Sequence, residues 1–340
     1  TPSNVSAGVV TWKKVGPEGT GSGTHAGASA SASATDRIDT VLRCDAYATD
    51  TTPWLPSIVR GEVSGCRAAG GPASRIRPMR TALVVPTYQE AGNIERFLKE
   101  VRAVLPDMTV IVCDDNSPDG TGDIADRMAA ELGSIDVVHR AGKEGLGAAY
   151  RHGLTYALDA GYDLIMQMDV DFSHDPAVLP HLRQAILDGA DVAVGSRYVP
   201  GGSTPDWPMR RRMLSRYGNE YSRRMLKLSF NDTTAGFRAY AAPILRSIRV
   251  ETTRTNGYGF MIETGYRLTV ANADVREIPI AFHDRTEGES KMAVRTMAET
   301  MVSVTWWGLC IRFPKLTNKF RATALGQRLW SVTGPAATPR

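Results

Sequence analysis

Cysteine is scarce in this 340-residue chain: Cys44, Cys66, Cys113 and Cys310 are scattered, with no CxxC or CxxH spacing. That argues against a zinc site or a disulfide framework and fits a reducing compartment. Long apolar runs are also missing. No segment reaches the roughly 18 consecutive apolar residues a spanning helix needs, and no N-terminal run resembles a signal peptide. The closest approach, Met301 to Ile311, is too short, ends at Arg312 and carries the pair Trp306 and Trp307. It reads equally well as a helix lying in a membrane interface or as a buried C-terminal helix. A Walker loop is absent, which disfavours a P-loop NTPase. GxGxxG is absent too, so a dinucleotide-binding dehydrogenase is not expected. Charge of one sign is not abundant: 40 Lys and Arg against 36 Asp and Glu leave +4. So small a surplus does not by itself point to nucleic acid.

Gly, Ser, Ala and Thr dominate the first 78 positions, and residues 21–35 consist of them except for His25. Such a stretch has too little apolar side chain to offset the entropy of ordering it. The expected organisation is therefore a low-complexity, disordered extension over 1–78 and one folded unit of about 250 residues. The catalytic part is expected over 79–291, amphipathic membrane-associating helices over 292–325, and a flexible tail over 326–340.

From residue 80 the pattern alternates. Apolar strands are expected at 81–85, 109–113, 135–138, 163–168 and 191–195, with helices at 92–105, 124–132, 145–158 and 177–187. This order implies a mainly parallel α/β sheet with helices on both faces. Ligands of such sheets sit beyond the carboxyl ends of the strands. Those ends carry Pro86, Tyr88 and Glu90; Asp114 and Asp115; Asp169, Val170 and Asp171; and Arg197. Several acidic strand ends on one edge repel one another unless a cation compensates them. In an extended segment Asp169 and Asp171 point the same way and can share a hard ion such as Mg2+ or Mn2+. Residues 209–228 have helical spacing, with Met213, Tyr217, Tyr221 and Leu228 as an apolar stripe among seven Arg and Lys. A basic amphipathic helix reads as a membrane-surface or phosphate-binding element, or as a core-facing helix with a solvated basic face.

The series VVPTYQEAGNI, VIVCDDNSPDGT, KEGLGAAYRHG, MDVDFSHDP, GSRYVPGG, NDTTAGFRAY and FHDRTEGESK resembles polyprenol-phosphate (dolichol-phosphate) mannosyltransferases, family 2 glycosyltransferases of the GT-A (Rossmann-like) type. The resemblance covers about residues 80–295 in order. It implies inverting, metal-dependent transfer of mannose from GDP-mannose to the phosphate of a polyprenyl lipid, with a UDP-sugar donor or a non-catalytic nucleotide-sugar-binding partner of a membrane complex as alternatives. It also implies that Pro86, Tyr88 and Glu90 cradle the nucleotide, that Asp115 reads the base beside Cys113, and that Asp171, with Asp169, holds Mg2+ or Mn2+. Ser173 stands where the family often has a metal-assisting Gln. Arg197, Arg285 and Lys291 resemble the family's diphosphate and acceptor clamps, and Arg238 of the GFRAY element joins the substrate-binding set. The implied partners are GDP-mannose, polyprenyl phosphate, a membrane surface and an integral-membrane protein, without nucleic acid. The implied location is peripheral, on the cytoplasmic side of the cell membrane.

Overall fold

The computed structural model describes residues 79–284 and 294–313. The expected extension 1–78, the tail 326–340, and Arg285 and Lys291 lie outside them. The elements run β1 (Thr81–Thr87), α1 (Ile94–Val104), β2 (Thr109–Asp114), α2 (Thr121–Leu132), β3 (Ile135–His139), α3 (Leu146–Asp159), β4 (Leu164–Gln167), α4 (Leu179–Leu187), β5 (Val192–Ser196), α5 (Met209–Leu226), β6 (Arg238–Ala241), α6 (Ala242–Ser247), α7 (Tyr258–Val270), β7 (Val275–Pro279) and α8 (Val294–Arg312).

The strands form a seven-stranded sheet in the order β3-β2-β1-β4-β6-β5-β7. All pairings are parallel except those of β6, which runs against both β4 and β5. Alternation along β1 explains the two layers. Ala82 and Val84 join the core under α3, α7 and α8, while Leu83 and Val85 join the core under α1, α2 and α4. The α/β GT-A arrangement is thus the observed fold.

β1 continues past the expected stop at Pro86, which pairs in register with Cys113 of β2. The β4 ladder has already ended at Val84 opposite Gln167. Val84 offers its carbonyl toward β4, to Met168 N at 3.2 Å, so Pro86 presents its missing N–H where no partner strand remains. Helix α3 lies very close to the sheet. A Cβ on Gly153 would fall 2.4 Å from Val84 Cγ1 and 2.7 Å from Cys113 Sγ, so only glycine lets the helix approach this far.

The basic helix departs from the core-facing one of its two expected readings in which side it buries. α5 ends at Leu226, capped by Lys227 at φ 55°, so Leu228 lies beyond it. Its buried residues are Asn219, Ser222 and Leu226, whereas Met209, Met213, Leu214 and Tyr217 are exposed. The polar inward side is required because Asn219 Oδ1 accepts from Thr233 N at 2.9 Å and from Thr233 Oγ1 at 2.8 Å, fixing the turn that leads into β6. α8 lies against α5. Val304 and Trp307 are buried while Val302 and Leu309 are exposed, so this helix has both a core face and an open face. Arg312 donates to the carbonyls of Met225 (2.6 Å) and Arg224 (2.9 Å), satisfying α5 carbonyls left over at its C-terminus. No described helix is long and apolar enough to cross a membrane.

Candidate active site

Three strand ends turn toward the same edge through a non-glycine residue in the left-handed region: Gln89 after β1 (φ 59°), Asn116 after β2 (φ 55°) and Phe172 after β4 (φ 57°). Only asparagine adopts it readily. Strain of this kind persists where surrounding contacts fix it. At β4 the contact is an Asx turn, in which Ser173 N donates to Asp171 Oδ1 at 3.1 Å.

Asp169, Asp171, Ser173 and His174 line one side of a cavity of about 260 Å3. Arg197 from the end of β5, Trp207 and Arg211 at the start of α5, Thr234 to Gly236 ahead of β6, Tyr258 opening α7, and Phe282 and Asp284 after β7 complete it. Tyr150 of α3 donates to Asp169 Oδ1 at 2.5 Å and stacks on Phe260 at 6.1 Å. Burial first, then the Asp169 charge, pushes the Tyr150 phenol well up, so it stays a donor and orients that carboxylate. A Cβ on Gly236 would sit 3.4 Å from Asp169 Oδ2.

Among the described residues no three His, Cys, Asp or Glu side chains converge as a metal cluster. The cavity instead presents the side-chain oxygens of Asp169, Asp171 and Ser173 with open space beside them, a lining whose chemistry fits a hard cation such as Mg2+ or Mn2+. The surroundings fit that use: Ser173 Oγ and His174 Nδ1 are buried without a hydrogen-bond partner among the described residues. His174 is held between the rings of Phe237 and Phe282, each at 5.1 Å. Burial lowers its pKa to about 4, with Arg197 adding to the effect and Asp171 opposing it, so it is neutral at pH 7.

Arg197 lines the cavity but is not a loose clamp. Its Nε and Nη2 donate to Asp232 at 2.8 and 2.7 Å, and Nη2 also donates to Thr234 Oγ1 at 2.8 Å. Burial opposes both charges, yet each stabilises the other: the arginine pKa is raised and that of Asp232 is lowered. The loop behind it closes tightly, since a Cβ on Gly202 would lie 2.6 Å from Ser196 O and 2.7 Å from Arg197 C. Arg211 donates from Nη1 to Asp284 Oδ1 at 2.6 Å and stacks 4.2 Å over Trp207. It is the more open of the two cavity arginines, with a side-chain exposure of 30% against 6%.

The residues expected to cradle the nucleotide gather at the ends of β1 and β2. Lys143 lies 3.8 Å over the Tyr88 ring. Glu90 accepts from Asn93 Nδ2 at 2.9 Å, and its backbone N donates to Thr121 Oγ1 at 2.9 Å. Asp115 is buried and paired with Arg140. Cys113 is fully buried beneath α3, and that burial pushes its thiol up to about 12. Arg238 is also fully buried. It donates to Met261 O, Thr264 Oγ1 and Thr233 O at 3.1–3.2 Å, so it braces the wall behind the cavity and does not line it.

Sequence reasoning gave no role to Tyr150, His174, Trp207, Asp232, Tyr258 or Asp284. Tyr150, Asp232 and Asp284 lie inside quoted motifs, and His174 follows the acidic turn, so all four were within reach. Tyr258 has no local signal, because only the tertiary fold brings it to the cavity.

A second, mainly apolar cavity of about 340 Å3 shares Arg197, Trp207, Arg211, Thr234 and Tyr258 with the first. It continues along Leu214, Tyr217 and Tyr221 of α5 to Ile262 of α7 and Met301 of α8.

Residues 82–249 match the model of glycosyl transferase family 2. The chain is 44% identical over 238 residues to an undecaprenyl-phosphate mannosyltransferase of Micrococcus luteus, covering 70% of this chain and 98% of that protein. It is 41% identical over 245 residues to a polyprenol monophosphomannose synthase of Mycolicibacterium smegmatis, covering 72% and 92%. Among solved structures it is similar to the Mycobacterium tuberculosis glucosyl-3-phosphoglycerate synthase with Mn2+, uridine diphosphate and glucosyl-3-phosphoglycerate (TM-score 0.51, 16% identity, 67% of this chain and 80% of that one). A second is mannosyl-3-phosphoglycerate synthase from Rubrobacter xylanophilus (TM-score 0.50, 17% identity, 69% and 75%); at these identities the two structures bear on fold alone. Two relatives matched over nearly their whole length, together with the strand-end carboxylates and the arginine-lined cavity, show that the chain belongs to the polyprenol-phosphate mannosyltransferases of glycosyl transferase family 2.

Proposed function

We propose that the chain transfers mannose from GDP-mannose to the phosphate of a polyprenyl lipid, with inversion and with a divalent cation. The observation that carries this reading is the continuity of the polar, carboxylate-lined cavity with the apolar one: a charged reacting centre opens onto a trough suited to a hydrocarbon chain. A phosphate oxygen of the acceptor attacks the anomeric carbon, and the bond to the diphosphate breaks with its electron pair leaving on GDP. A phosphate monoester is largely dianionic at pH 7, with a second pKa of about 6, so no side chain need remove a proton. Asp169 and Asp171 would hold Mg2+ or Mn2+, which when bound neutralises charge developing on the diphosphate. Tyr150 orients Asp169, and Arg211, on the cavity rim, is placed to meet an acceptor phosphate. The family resemblance gives Lys291 and Arg285, which lie outside the described residues, the role of adding positive charge for the diphosphate or acceptor phosphate.

The test is incubation with GDP-mannose and a polyprenyl phosphate. Lipid-linked mannose is expected, with its formation abolished by EDTA and restored by Mg2+ or Mn2+. Release of UDP from UDP-glucose, with no GDP from GDP-mannose, would overturn the donor assignment.

Under this reading the exposed stripe Met209, Met213, Leu214 and Tyr217, flanked by Arg210 and Arg216, seats the enzyme peripherally on an anionic membrane surface. Replacing Leu214 and Tyr217 by Ser removes apolar lining from the trough. The variant is expected to lose about tenfold in kcat/KM for a long-chain acceptor, the scale of one or two apolar groups, and less for a short, water-soluble prenyl phosphate. Equal losses with both acceptors would place the tail elsewhere.

A further inference from the structure

Arg140 is the first residue past β3, and its backbone N donates to Asp114 O at 2.8 Å. Its side chain is only 7% exposed, an expensive place for a cation unless it is paired. Nη1 donates to Asp115 Oδ1, and Nη2 donates to Glu144 Oε2 at 2.6 Å. The planar fork therefore ties a buried carboxylate at the end of β2 to a solvent-exposed one in the loop before α3. In the same loop Lys143 covers the Tyr88 ring at the end of β1. Nothing in the mechanism uses Arg140, and it does not line the reacting cavity.

We propose that Arg140 is a positioning residue for donor recognition: it keeps the Asp115 carboxylate ionised and aimed so that it accepts from the N–H groups of the nucleobase. This rests on the reading of Asp115 as the base-facing residue. The physical need is definite. An ionised carboxylate is acceptor-only, whereas a protonated one turns a donor toward the base edge and forfeits a hydrogen bond. Burial pushes Asp115 toward protonation, and Asp114 adds to that push; Arg140, helped by the Glu144 backbone N–H, works against it. The remaining groups facing this pair are Arg151 and His152 of α3 and the thiol of Cys113. Of these, burial first and then Arg140 lower His152, so it does not supply the charge.

The experiment measures GDP-mannose affinity and steady-state kinetics for wild type, Arg140→Met, Arg140→Lys and Asp115→Asn. GDP-mannose is the chosen probe because its diphosphate diester does not titrate near neutrality. Arg140→Met is expected to raise KM for GDP-mannose about tenfold or more, the scale of one hydrogen bond to a charged group, with kcat at saturation within about threefold of wild type. Its affinity is expected to fall further as pH drops toward the carboxylate range, because without Arg140 the buried Asp115 takes up a proton at a higher pH than in wild type, whose affinity holds to lower pH. Arg140→Lys, which keeps the charge without the fork, is expected to stay flat with pH at an intermediate KM. Arg140→Met binding GDP-mannose as well as or better than wild type would overturn the proposal, since Arg140 would then compete with the base. Losses that are the same at every pH would also overturn it, by reducing Arg140 to a structural prop. If Asp115→Asn leaves KM unchanged, the base-facing reading of Asp115 fails instead, whatever Arg140 does.

Discussion

Asp171→Asn is expected to fold like the wild type and to lose mannosyl transfer by on the order of a thousandfold, the scale seen when one preorganised charge-stabilising group is removed. The substitution nearly conserves shape. Its side-chain oxygen still accepts from Ser173 N, the 3.1 Å contact that closes the turn, so the Phe172 conformation is retained. What is lost is one of the three carboxylates lining the cavity, Asp169, Asp171 and Asp284, and, under the proposed function, part of the hold on the cation that would offset charge on the departing diphosphate. The measurement is initial-rate transfer of mannose to polyprenyl phosphate at saturating Mg2+ and Mn2+, alongside a melting curve. An unchanged melting temperature with collapsed kcat is the expected pair of results. Full turnover would remove Asp171 from the metal role, and loss of the fold would show that the carboxylate serves the turn instead.

The second large effect concerns stability. Arg197→Met is expected to destabilise the protein by about 3–5 kcal/mol, because it strands the fully buried Asp232 without its counter-charge. Arg197→Met with Asp232→Asn is expected to recover most of that loss, since the amide oxygen can still accept from the Arg197-position backbone N–H, a 3.0 Å contact in the wild type. Denaturant unfolding of the single and double variants measures both. The sign of the pH effect follows from Asp232. Burial alone would raise its pKa, but Arg197 wins and the folded value lies below the unfolded one. The ion pair therefore contributes fully above the unfolded carboxylate range near ~4 and is lost as pH falls through the lower, folded value. The double variant is expected to lack this acid-side slope. A single variant as stable as the wild type would mean that Asp232 finds water or another cation.

The strand-helix alternation through β5 was readable from periodicity because buried parallel strands are continuously apolar and their helices carry a regular stripe. Element ends moved by one to three residues, where caps and ladder ends decide. Beyond residue 200 local pattern carried less. β6 is four residues long and contains Arg238, and β7 is only partly buried, so neither shows the apolar run that marked the first five strands. The carboxylates of the site were legible because they sit at strand ends, where topology alone puts them on one edge. The identities of their partners were not. Arg197 looked like a free cation until Asp232, 35 residues away, proved to neutralise it, and Arg140 carried no signal until β2 and β3 were paired side by side. Helix α5 was ambiguous for a related reason. Its apolar residues could face the core or a membrane surface, and the buried side is taken by Ser222, Leu226 and Asn219, which hydrogen-bonds Thr233.

The reversed strand β6 has a consequence for how such an enzyme can change. Within the sheet, β3, β2, β1 and β4 meet β6, β5 and β7 only along the β4–β6 ladder of four residue pairs. Because β6 runs backwards, the segment entering it, Thr234 to Gly236, arrives at the same edge as the chain leaving β4 and β5. The ladder is thus a seam between two halves with separate tasks under the proposed function. One half grips the nucleotide; the other, with α5, α7 and α8, forms the trough. Substitutions that widen, shorten or recharge the trough can accumulate on one side of the seam without altering the register that sets Asp169 and Asp171 on the other. Under the proposed function, the acceptor side can then be altered while the donor side keeps its geometry.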